Sequence, residues 1–444
     1  MDKQQDILAA LLGAARAAGA DAADALLVNS VSASVSYRLG KLEDLERAES
    51  SDLGLRVFVG RRVAFISTTD FSRDTIDALP GRVVAMAKLA PEDKFAGLAP
   101  KERLARELPS LDLEDAQEPS ADTLIERARD VEAAAMAVPG IANSEGGGAS
   151  FQRNAIAFAT SEGFFGRYAA TTHSVGVAVL AGEGVDMQMD HDSASARHAG
   201  DLEAAEQVGK RAADRAVSKL NPRKIKSQRL PIVFAPRVSN GLIGHLSSAI
   251  SGNSIARGVS FLKDAMGQKI FAAGIRVVDD PHRMRGLRSK PFDGEGVANK
   301  RRALIEDGVL TTWLLDCASA RQLGLETTGH AARGTGGPPA PSPTNLYMEA
   351  GRLSPEALIA DIKEGLYVTD LMGMGVNQVT GDYSRGAAGF WIENGCVAFP
   401  VAEVTIAGNL KDMFTNLTPA DDLMFRYSVN APTLRVEGMT VAGA

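Results

Sequence analysis

The sequence is short of residues that mark several protein classes. Its 444 residues include only two cysteines, Cys317 and Cys396, and aromatic side chains make up 5% of the chain. Each cysteine lies inside an apolar run, away from any second cysteine, which excludes a metal site built on paired thiolates. Two buried thiols are typical of a reducing compartment, so we predict a cytoplasmic protein.

Long hydrophobic runs and an excess of basic residues are also missing. No stretch approaches the ~20 uninterrupted apolar residues of a membrane span, so no membrane partner is expected. The N-terminal MDKQQDILAALLGAARAAG resembles a signal peptide only briefly, because Arg16 interrupts it and its apolar residues fall on one helical face. A net charge of −7 gives no general attraction to phosphate, so direct nucleic-acid binding is not expected.

The chain does have enough length and apolar content for more than one core. With ~150 residues per domain as a guide, 444 residues and 45% hydrophobic side chains allow two or three domains. We predict an α+β protein with a mixed α/β domain of antiparallel meanders and helices over residues 1–225 and a β-rich domain over 226–444. The boundary is NPRKIKSQRLP, Asn221–Pro231, whose basic residues and prolines are typical of a linker.

Hydrophobic periodicity and turn residues place the elements of the first half. Pro80-Gly81 is expected to break or kink the second helix. The helices are predicted at the N-terminus and at Ser72–Leu89, Ser120–Val138 and Leu202–Leu220, and the strands at Ala25–Leu39, on both sides of Gly60, at Ile141–Phe151 and Ala155–Thr160, and from Phe164 to about Met189.

The second half is predicted to be largely β. Asp370–Gly395 is rich in glycine and aromatic residues, which indicates a meander with a packed corner. Gly334–Pro343, GTGGPPAPSP, predicts an extended loop. Hairpins are predicted at Glu306-Asp307-Gly308 and Glu393-Asn394-Gly395, and helices at Ser239–Ile250, Asp316–Leu323, Pro355–Lys363 and Asn409–Asn416.

The motifs of common catalytic sites are absent from the sequence. There is no Walker A loop, no GxGxxG after a strand, no GxSxG elbow and no His-Glu-x-x-His. His245 lies on the predicted Ser239–Ile250 helix, but no usual metal ligand lies one turn away from it. His191 stands beside Asp190 and Asp192, which we interpret as a solvated strand end.

Four acidic residues near predicted turns are candidates for a general acid and base. Asp293 and Glu295 occur in PFDGEG, and Glu306 and Glu393 precede the two hairpin turns. Capping of turns and solvation explain all four more simply. The residues alone therefore predict a two-domain protein without visible catalytic machinery.

Several longer motifs resemble those of one protein family. NQVTGDYSRGAAGFWIENG, PFDGEG, RALIEDGVLTTWLLDCASARQLG, TGHA and SPTNLYM are similar to the TldD/PmbA family, called modulators of DNA gyrase and regarded as metalloprotease subunits. The similarity covers nearly the whole chain and points to the PmbA branch, also called TldE. It implies an α/β N-terminal domain, a β-rich C-terminal domain and a heterodimer with a TldD-type subunit that degrades peptides.

The branch assignment follows from what this chain lacks. The resemblance implies His-Glu-x-x-x-His on a helix opening the second domain of TldD-type chains, with a further cysteine ligand near the C-terminus. Here that helix reads NGLIGHLSSAISGNSIARG, which keeps only His245, and MFRYSVNAPTLRVEGMTV contains no cysteine. A zinc site needs about three protein ligands, so no catalytic or metal residue is assigned and zinc is expected in the partner subunit.

Two functions of different classes remain open. The chain is either the metal-free subunit of a TldD/TldE protease, or a stand-alone homodimeric module that binds unfolded or extended peptides along a strand edge. Hydrolysis by Ser247, Ser248 or Cys317 is disfavoured because no base is spaced to serve them. Phe390, Trp391 and Phe399 are either partner contacts or core residues.

A peptide groove is expected where the Pro/Gly-rich loop leads into the next strand. The groove candidates are His245, Thr344 and Asn345, with Gly334–Pro343 covering the groove, because long irregular loops are often functional lids. A surface loop leading into an ordinary edge strand is the alternative.

The isolated chain is predicted to bind no stoichiometric zinc, because His245 has no companion ligand on its helix and the C-terminal segment lacks cysteine. Elemental analysis of tag-free, metal-replete protein measures this directly. About one tightly held zinc per chain would contradict the prediction.

Overall fold

A six-stranded antiparallel sheet organises the first half of the chain in the computed structural model, which describes residues 3–443. Met1, Asp2 and Ala444, which the predicted domain limits include, lie outside the described residues. The elements are α1 (Lys3–Ala17), β1 (Ala22–Arg38), β2 (Lys41–Val59), β3 (Arg62–Thr68), α2 (Arg73–Leu89), α3 (Ala121–Met136), β4 (Ile141–Thr160), β5 (Phe165–Ala181), β6 (Gln188–Ala196) and α4 (Ala205–Ser218).

The strands of this sheet follow the order β3-β2-β1-β4-β5-β6, and the helices cover the sheet in two pairs. α1 and α2 pack on β1 and β2, while α3 and α4 pack on β4 and β5. The sequence dictates this contact by alternation, since Val175, Val177 and Val179 of β5 point to the same side and are all buried. Each helix pair therefore closes its own apolar cluster.

Two predicted breaks in this half are absent, whereas a kink of α2 at Pro80 stays a prediction. α2 runs unbroken through Pro80, because Leu79, Val83 and Ala87 are buried and their packing offsets the ~3 kcal/mol cost of an internal proline. The separate strands predicted at 141–151 and 155–160 form the single strand β4. Its polar centre stays extended because Gln152 pairs with Ser32 of β1 on one side and with Thr172 of β5 on the other.

The second half is built on a closed sheet and a smaller sheet. Its elements are β7 (Gln228–Phe234), α5 (Pro236–Ala249), α6 (Gly252–Ala256), β8 (Val277–Asp279), β9 (Arg302–Glu306), β10 (Val309–Leu310), α7 (Cys317–Leu323), β11 (Ala331–Ala332), β12 (Ala340–Pro341), β13 (Leu346–Met348), α8 (Pro355–Ile359), β14 (Glu364–Met372), β15 (Asp382–Glu393), β16 (Cys396–Asn409), α9 (Leu410–Thr415), β17 (Leu417–Pro419), β18 (Val429–Asn430) and β19 (Leu434–Ala442).

The closed sheet is a barrel. Its strands follow the order β16-β15-β14-β7-β19, and a further pairing of β16 with β19 joins the two ends. The barrel strands share a core with α5, which contributes Leu242, Ile243 and Leu246 to the largest apolar cluster. The predicted α+β class, with an α/β first half and a β-rich second half, is confirmed, whereas the boundary near residue 225 stays a prediction.

Both hairpins predicted from turn residues are confirmed. Asp307-Gly308 joins β9 to β10 and Asn394-Gly395 joins β15 to β16, and all four residues have the positive φ angles that such two-residue turns need. The meander predicted around Asp370–Gly395 is also present, as β14, β15 and β16.

Three smaller expectations need correction. Cys396 is exposed rather than buried, because it is the first residue of β16 after a solvent-facing turn. The predicted linker is partly strand, since β7 already begins at Gln228. The Gly334–Pro343 loop is largely irregular as predicted, but Ala340–Pro341 pairs with Ala331–Ala332.

Within the described residues, no helix is long and apolar enough to cross a bilayer.

The two halves are in direct contact. Arg321 of α7 donates hydrogen bonds to three backbone carbonyls of the first half, at Phe95, Gly97 and Leu98. Gly54 of β2 lies against the backbone of Thr335, so close that an added Cβ would come within 2.3 Å of the Thr335 carbonyl oxygen.

Gly54→Ala is predicted to lower the free energy of unfolding by roughly 1–3 kcal/mol, because the Thr335 backbone would have to shift. The measurement is chemical denaturation of both proteins. Gly13→Ala is the matched control: Gly13 is exposed within α1 with open space around it, so the same change should raise stability by about 1 kcal/mol. Equal effects of the two substitutions would contradict the close contact.

Candidate functional site

A cavity of about 550 Å³ lies between the two halves of the chain, and we call it the interdomain cavity. Strands β1, β4 and β5 form one wall, with apolar side chains that include Phe158 and Tyr168. Loops of the second half form the other wall, through residues 287–290, 292–294, 332–334 and 343–344. Clefts between domains are common ligand sites because they combine apolar and polar surfaces.

Thr344 lines this cavity, and its polar groups are used within the protein. Both its N–H and its Oγ1 donate to the carboxylate of Asp279 at 2.6 Å. Thr344 and Asp279 are buried, so this interaction fixes the backbone at the entrance to β13.

Asn345 is equally buried and lines a neighbouring cavity of about 300 Å³. Its Nδ2 donates to the Asp280 carbonyl at 2.7 Å and to Ser289 Oγ at 2.8 Å, while its Oδ1 accepts from the Arg288 N–H at 2.9 Å. The side chain therefore positions the loop that lines the interdomain cavity. That Thr344 and Asn345 belong to a peptide groove stays a prediction.

His245 does not line either of these two cavities. Its half-buried ring packs edge-on against Tyr383, with ring centroids 6.0 Å apart. Burial lowers the pKa of His245, and the nearby Arg385 guanidinium lowers it further. The structure thus brings Thr344 and Asn345 together but leaves His245 outside their surroundings.

The residues around His245 do not fit a zinc ion. A tetrahedral site needs about three nitrogen, sulfur or carboxylate ligands, whereas the recorded neighbours of this ring are a tyrosine and a positively charged arginine. Across residues 3–443, no three His, Cys, Asp or Glu side chains are grouped so that they could hold a metal.

Asp293 and Glu295 are buried, which contradicts the expectation that solvation explains them. Their loop is covered by the sheet of the first half, because Phe292 packs with Phe158 and Phe164. Asp293 does cap its turn, since its carboxylate accepts the N–H groups of Glu295, Val297 and Ala331 at 2.9–3.0 Å. The hairpin acids Glu306 and Glu393 are exposed, as expected.

A buried ion cluster lies beside this turn. Asp24 of β1 accepts from Arg56 Nε of β2 at 2.9 Å and from Arg333 Nη1 at 2.6 Å. All three side chains are almost fully buried. Burial alone would raise the pKa of Asp24, but the two guanidinium groups hold it below its usual value.

Glu295 is at the edge of this cluster and is poised to titrate. Burial raises its pKa to about 7, aided by the neighbouring Asp293 and opposed by Arg56, whose Nη2 lies 3.8 Å from Glu295 Oε1. Its Oε2 accepts the N–H of Cys317 at 2.8 Å. Burial and Glu295 raise the pKa of the Cys317 thiol, which disfavours a thiolate nucleophile there.

The interpretation of Asp190 and Asp192 as a solvated strand end is wrong. Both are buried in the interior of β6, where α4 and the start of α5 cover them. Asp190 pairs with Lys219 at 2.6 Å and with Arg237 at 2.7 Å, while Asp192 accepts from Arg211 at 2.6 Å. Only His191, between them, is exposed.

A row of three interacting side chains, a threonine, a histidine and an aspartate, was not predicted from the sequence, although TGHA contains two of them. His330 Nδ1 shares a hydrogen bond with Thr328 Oγ1 at 2.8 Å, and His330 Nε2 lies 3.3 Å from Asp279 Oδ2. The Thr328 hydroxyl is buried and also accepts the Leu315 N–H at 2.8 Å. These three hydrogen-bonded residues therefore hold the loops behind the interdomain cavity and offer no accessible nucleophile.

Comparison with models of known protein families identifies similarity over most of the chain. Family models of PmbA/TldA metallopeptidases match the chain in three parts: domain 1 over residues 23–87, the central domain over 114–220 and the C-terminal domain over 227–443. The first two models both fall on the six-stranded sheet and its helices.

Full-length relatives and solved structures agree with these models. Metalloprotease PmbA of Escherichia coli O157:H7 is 40% identical over 95% of this chain and 92% of its own length, and its Haemophilus influenzae homologue is 36% identical over 92% and 90%. A Bacteroides thetaiotaomicron protein described as a candidate modulator of DNA gyrase superposes with a TM-score of 0.93 at 27% identity over all of both chains. TldE of Thermococcus kodakarensis shares the fold, with a TM-score of 0.88 at 21% identity over 98% of this chain and 100% of its own.

Glu295→Gln is predicted to remove a pH dependence of stability. The folded protein keeps the Glu295 proton up to about pH 7, whereas the unfolded chain releases it near the ordinary value of 4.5, so wild-type stability falls as pH rises through this window. Relative to the variant, the wild type should lose on the order of 2–3 kcal/mol between about pH 5 and pH 8, measured by urea denaturation. Glu393→Gln, at an exposed turn, should keep the pH dependence of the wild type. If Glu295→Gln also kept it, the assignment would be contradicted.

Proposed function

This chain belongs to the TldD/PmbA metallopeptidase family, and from this premise we propose that it is the metal-free PmbA/TldE-type subunit of a cytoplasmic heteromeric protease. In the proposed complex a TldD-type partner supplies zinc and catalysis, and the substrates are unfolded or extended peptides. This chain would enclose the site and position the peptide, and correct positioning alone lowers a reaction barrier by several kcal/mol.

The observation that carries the proposal is the composition of α5. One turn to either side of His245 the helix has Gly241, Leu242, Ser248 and Ala249, none of which is a metal ligand or an acid that activates water. Much of the surface of α5 is used for packing, because Leu242, Ile243 and Leu246 are buried in the core. The helix thus keeps its structural role without the residues that the family resemblance implies for zinc-bearing subunits.

An exposed apolar loop lies beside this helix and supports the proposal that a partner protein binds here. Met374 is fully exposed, and Met372 and Val379 are about half exposed, at the two ends of the loop between β14 and β15. The loop borders His245, because Val376 forms a β-bridge with Tyr383, whose ring contacts the histidine. Exposed, flexible methionines are typical of surfaces that adapt to another protein.

The aromatic residues considered as partner contacts serve other purposes within this chain. Trp391 is buried in the core and stacks with Phe399, with ring centroids 6.2 Å apart. Phe390 lines a cavity of about 310 Å³ between the two halves, beside the Asp190 ion pairs.

A stand-alone homodimeric module that binds peptides is the second candidate. β3 covers β2 only from Leu53 onward, so the outer edge of the exposed segment Lys41–Ser50 is open to an added strand. This segment carries Glu43, Asp44 and Glu46, whose like charges oppose pairing with a second copy and favour a basic peptide. The edge therefore supports peptide binding better than self-association.

Turnover of an unstructured peptide is predicted to require both subunits. Purified chain, TldD-type partner and their mixture should be compared with zinc content measured in each, and the mixture should be at least about tenfold faster than either protein alone, with all activity lost on chelation. Equal turnover by the partner with and without this chain would remove the subunit proposal. Chelator-resistant cleavage by this chain alone would show chemistry of its own.

A pair of variants tests the contact surface. Met374→Asp should abolish the gain in turnover and the co-elution of the two subunits, because a charge would be buried in the interface. Leu89→Asp is the control, since Leu89 is just as apolar and 89% exposed but lies at the end of α2 in the first half. Loss of assembly in both variants, or in neither, would contradict the loop assignment.

A further inference from the structure

The interdomain cavity is lined by more positive than negative charge. Its described lining includes four cationic side chains, Arg197, Arg288, Lys290 and Arg333, and one carboxylate, Asp293. Buried positive charge is costly unless an anion or several hydrogen bonds compensate it. How each cation is compensated therefore indicates what the cavity can bind.

The hydrogen bonds of Arg197 and Lys290 go to neutral groups. Burial lowers the pKa of Lys290, and the carboxylates of Asp293 and Asp279 oppose this effect through charge. The four hydrogen bonds of the Arg197 guanidinium to described residues go to the carbonyls of Thr171, Gly286 and Leu287 and to Thr172 Oγ1. Lys290 Nζ donates to the Ala331 carbonyl at 2.8 Å, which uses one of its three N–H groups.

The two carboxylates nearest the cavity offset only part of this charge. Asp24 is shared between Arg333 and Arg56, so one negative charge serves two guanidinium groups. Asp293 interacts with Lys290 through charge, but three backbone N–H groups also engage its carboxylate, and burial raises its pKa. Arg288 adds an exposed guanidinium whose recorded hydrogen bond to a side chain goes to Ser342.

Aromatic side chains line the cavity from both of its walls. Phe158 and Tyr168 belong to the strand wall and Phe292 to the loop wall, and the rings of Tyr168 and Phe292 meet edge-on with centroids 5.5 Å apart. A volume of about 550 Å³ is within the range of small-ligand sites. The cavity thus presents cations and apolar rings to the same ligand.

We propose that the interdomain cavity binds a carboxylate attached to an apolar group. Lys290 and Arg288 would donate to the carboxylate, and the aromatic side chains of both walls would contact the apolar part. The C-terminal residue of a peptide with a hydrophobic side chain has this chemistry, and so does a free aromatic or aliphatic acid. The peptide as source rests on the proposed function, whereas the carboxylate site does not.

Calorimetry on the isolated full chain tests the site without any partner or cleavage. N-acetyl-Leu-Phe as the free acid should bind at least about tenfold more tightly than the same dipeptide with a C-terminal amide, because only the acid carries the charge. Equal binding of acid and amide, or no binding of either at millimolar concentration, would overturn the proposal. Binding of inorganic phosphate without binding of the acid would overturn it too.

Two further ligand and variant arms separate the sources. If 3-phenylpropionate binds with the same affinity as the dipeptide acid, the carboxylate site is supported and its ligand is a small acid. If the dipeptide acid binds clearly more tightly, the ligand is the C-terminal end of a peptide. Arg288→Ala, at an exposed position, and Lys290→Met should each weaken acid binding about tenfold or more and leave amide binding unchanged.

Arg73→Ala controls for general charge, since Arg73 is 92% exposed on α2, away from the cavity lining. Thermal unfolding of every variant checks its folding, and the acid-to-amide comparison on the unmodified chain does not depend on any variant. Unchanged acid binding in folded Arg288→Ala and Lys290→Met proteins would overturn the assignment. Absence of partner-dependent cleavage would remove the proposed function and leave this result intact.

Discussion

The sharing of Asp24 by Arg56 and Arg333 joins the two halves of this protein. Asp24 and Arg56 belong to adjacent strands of the first half, and Arg333 comes from a loop of the second. Removing one partner of a buried ion pair costs about 3–5 kcal/mol, because the other charge is left uncompensated. The contact therefore fixes how the six-stranded sheet sits against the loops of the second half, and the interdomain cavity exists because of that placement.

A protein can keep the fold of its family while the chemistry of its site differs. The recorded surroundings of His245 are a tyrosine ring and a guanidinium, which suit packing rather than metal binding. The polar residues of the interdomain cavity hold loops in place and present cations, which suits recognition of a ligand. Binding and positioning are contributions that such a chain can make to a reaction whose bonds break elsewhere.

Local chemistry made much of the fold predictable, and long-range burial limited the rest. The Asn394-Gly395 and Asp307-Gly308 turns were predictable because few residues adopt positive φ easily. For the site, the strand beginning after Thr344 and Asn345 was predicted, but the burial of Asp293 was not, since it depends on a sheet more than a hundred residues away in sequence. Asp24 had a signal that was missed: a charged residue inside the apolar run AADALLV is expected to have a buried partner.

Closure of the barrel has a consequence for how the protein is made. β7 pairs with β19, which follows it by about two hundred residues, and β16 pairs with β19 as well. At the usual ~5–20 residues per second, the ribosome needs roughly 10–40 s to make the chain between them. During that interval the first sheet has all its strands, whereas β7 lacks both neighbours until β14 is made and lacks β19 until the end, so its edge stays open to other chains. A chaperone would therefore protect this protein from aggregation while its second half is being synthesised.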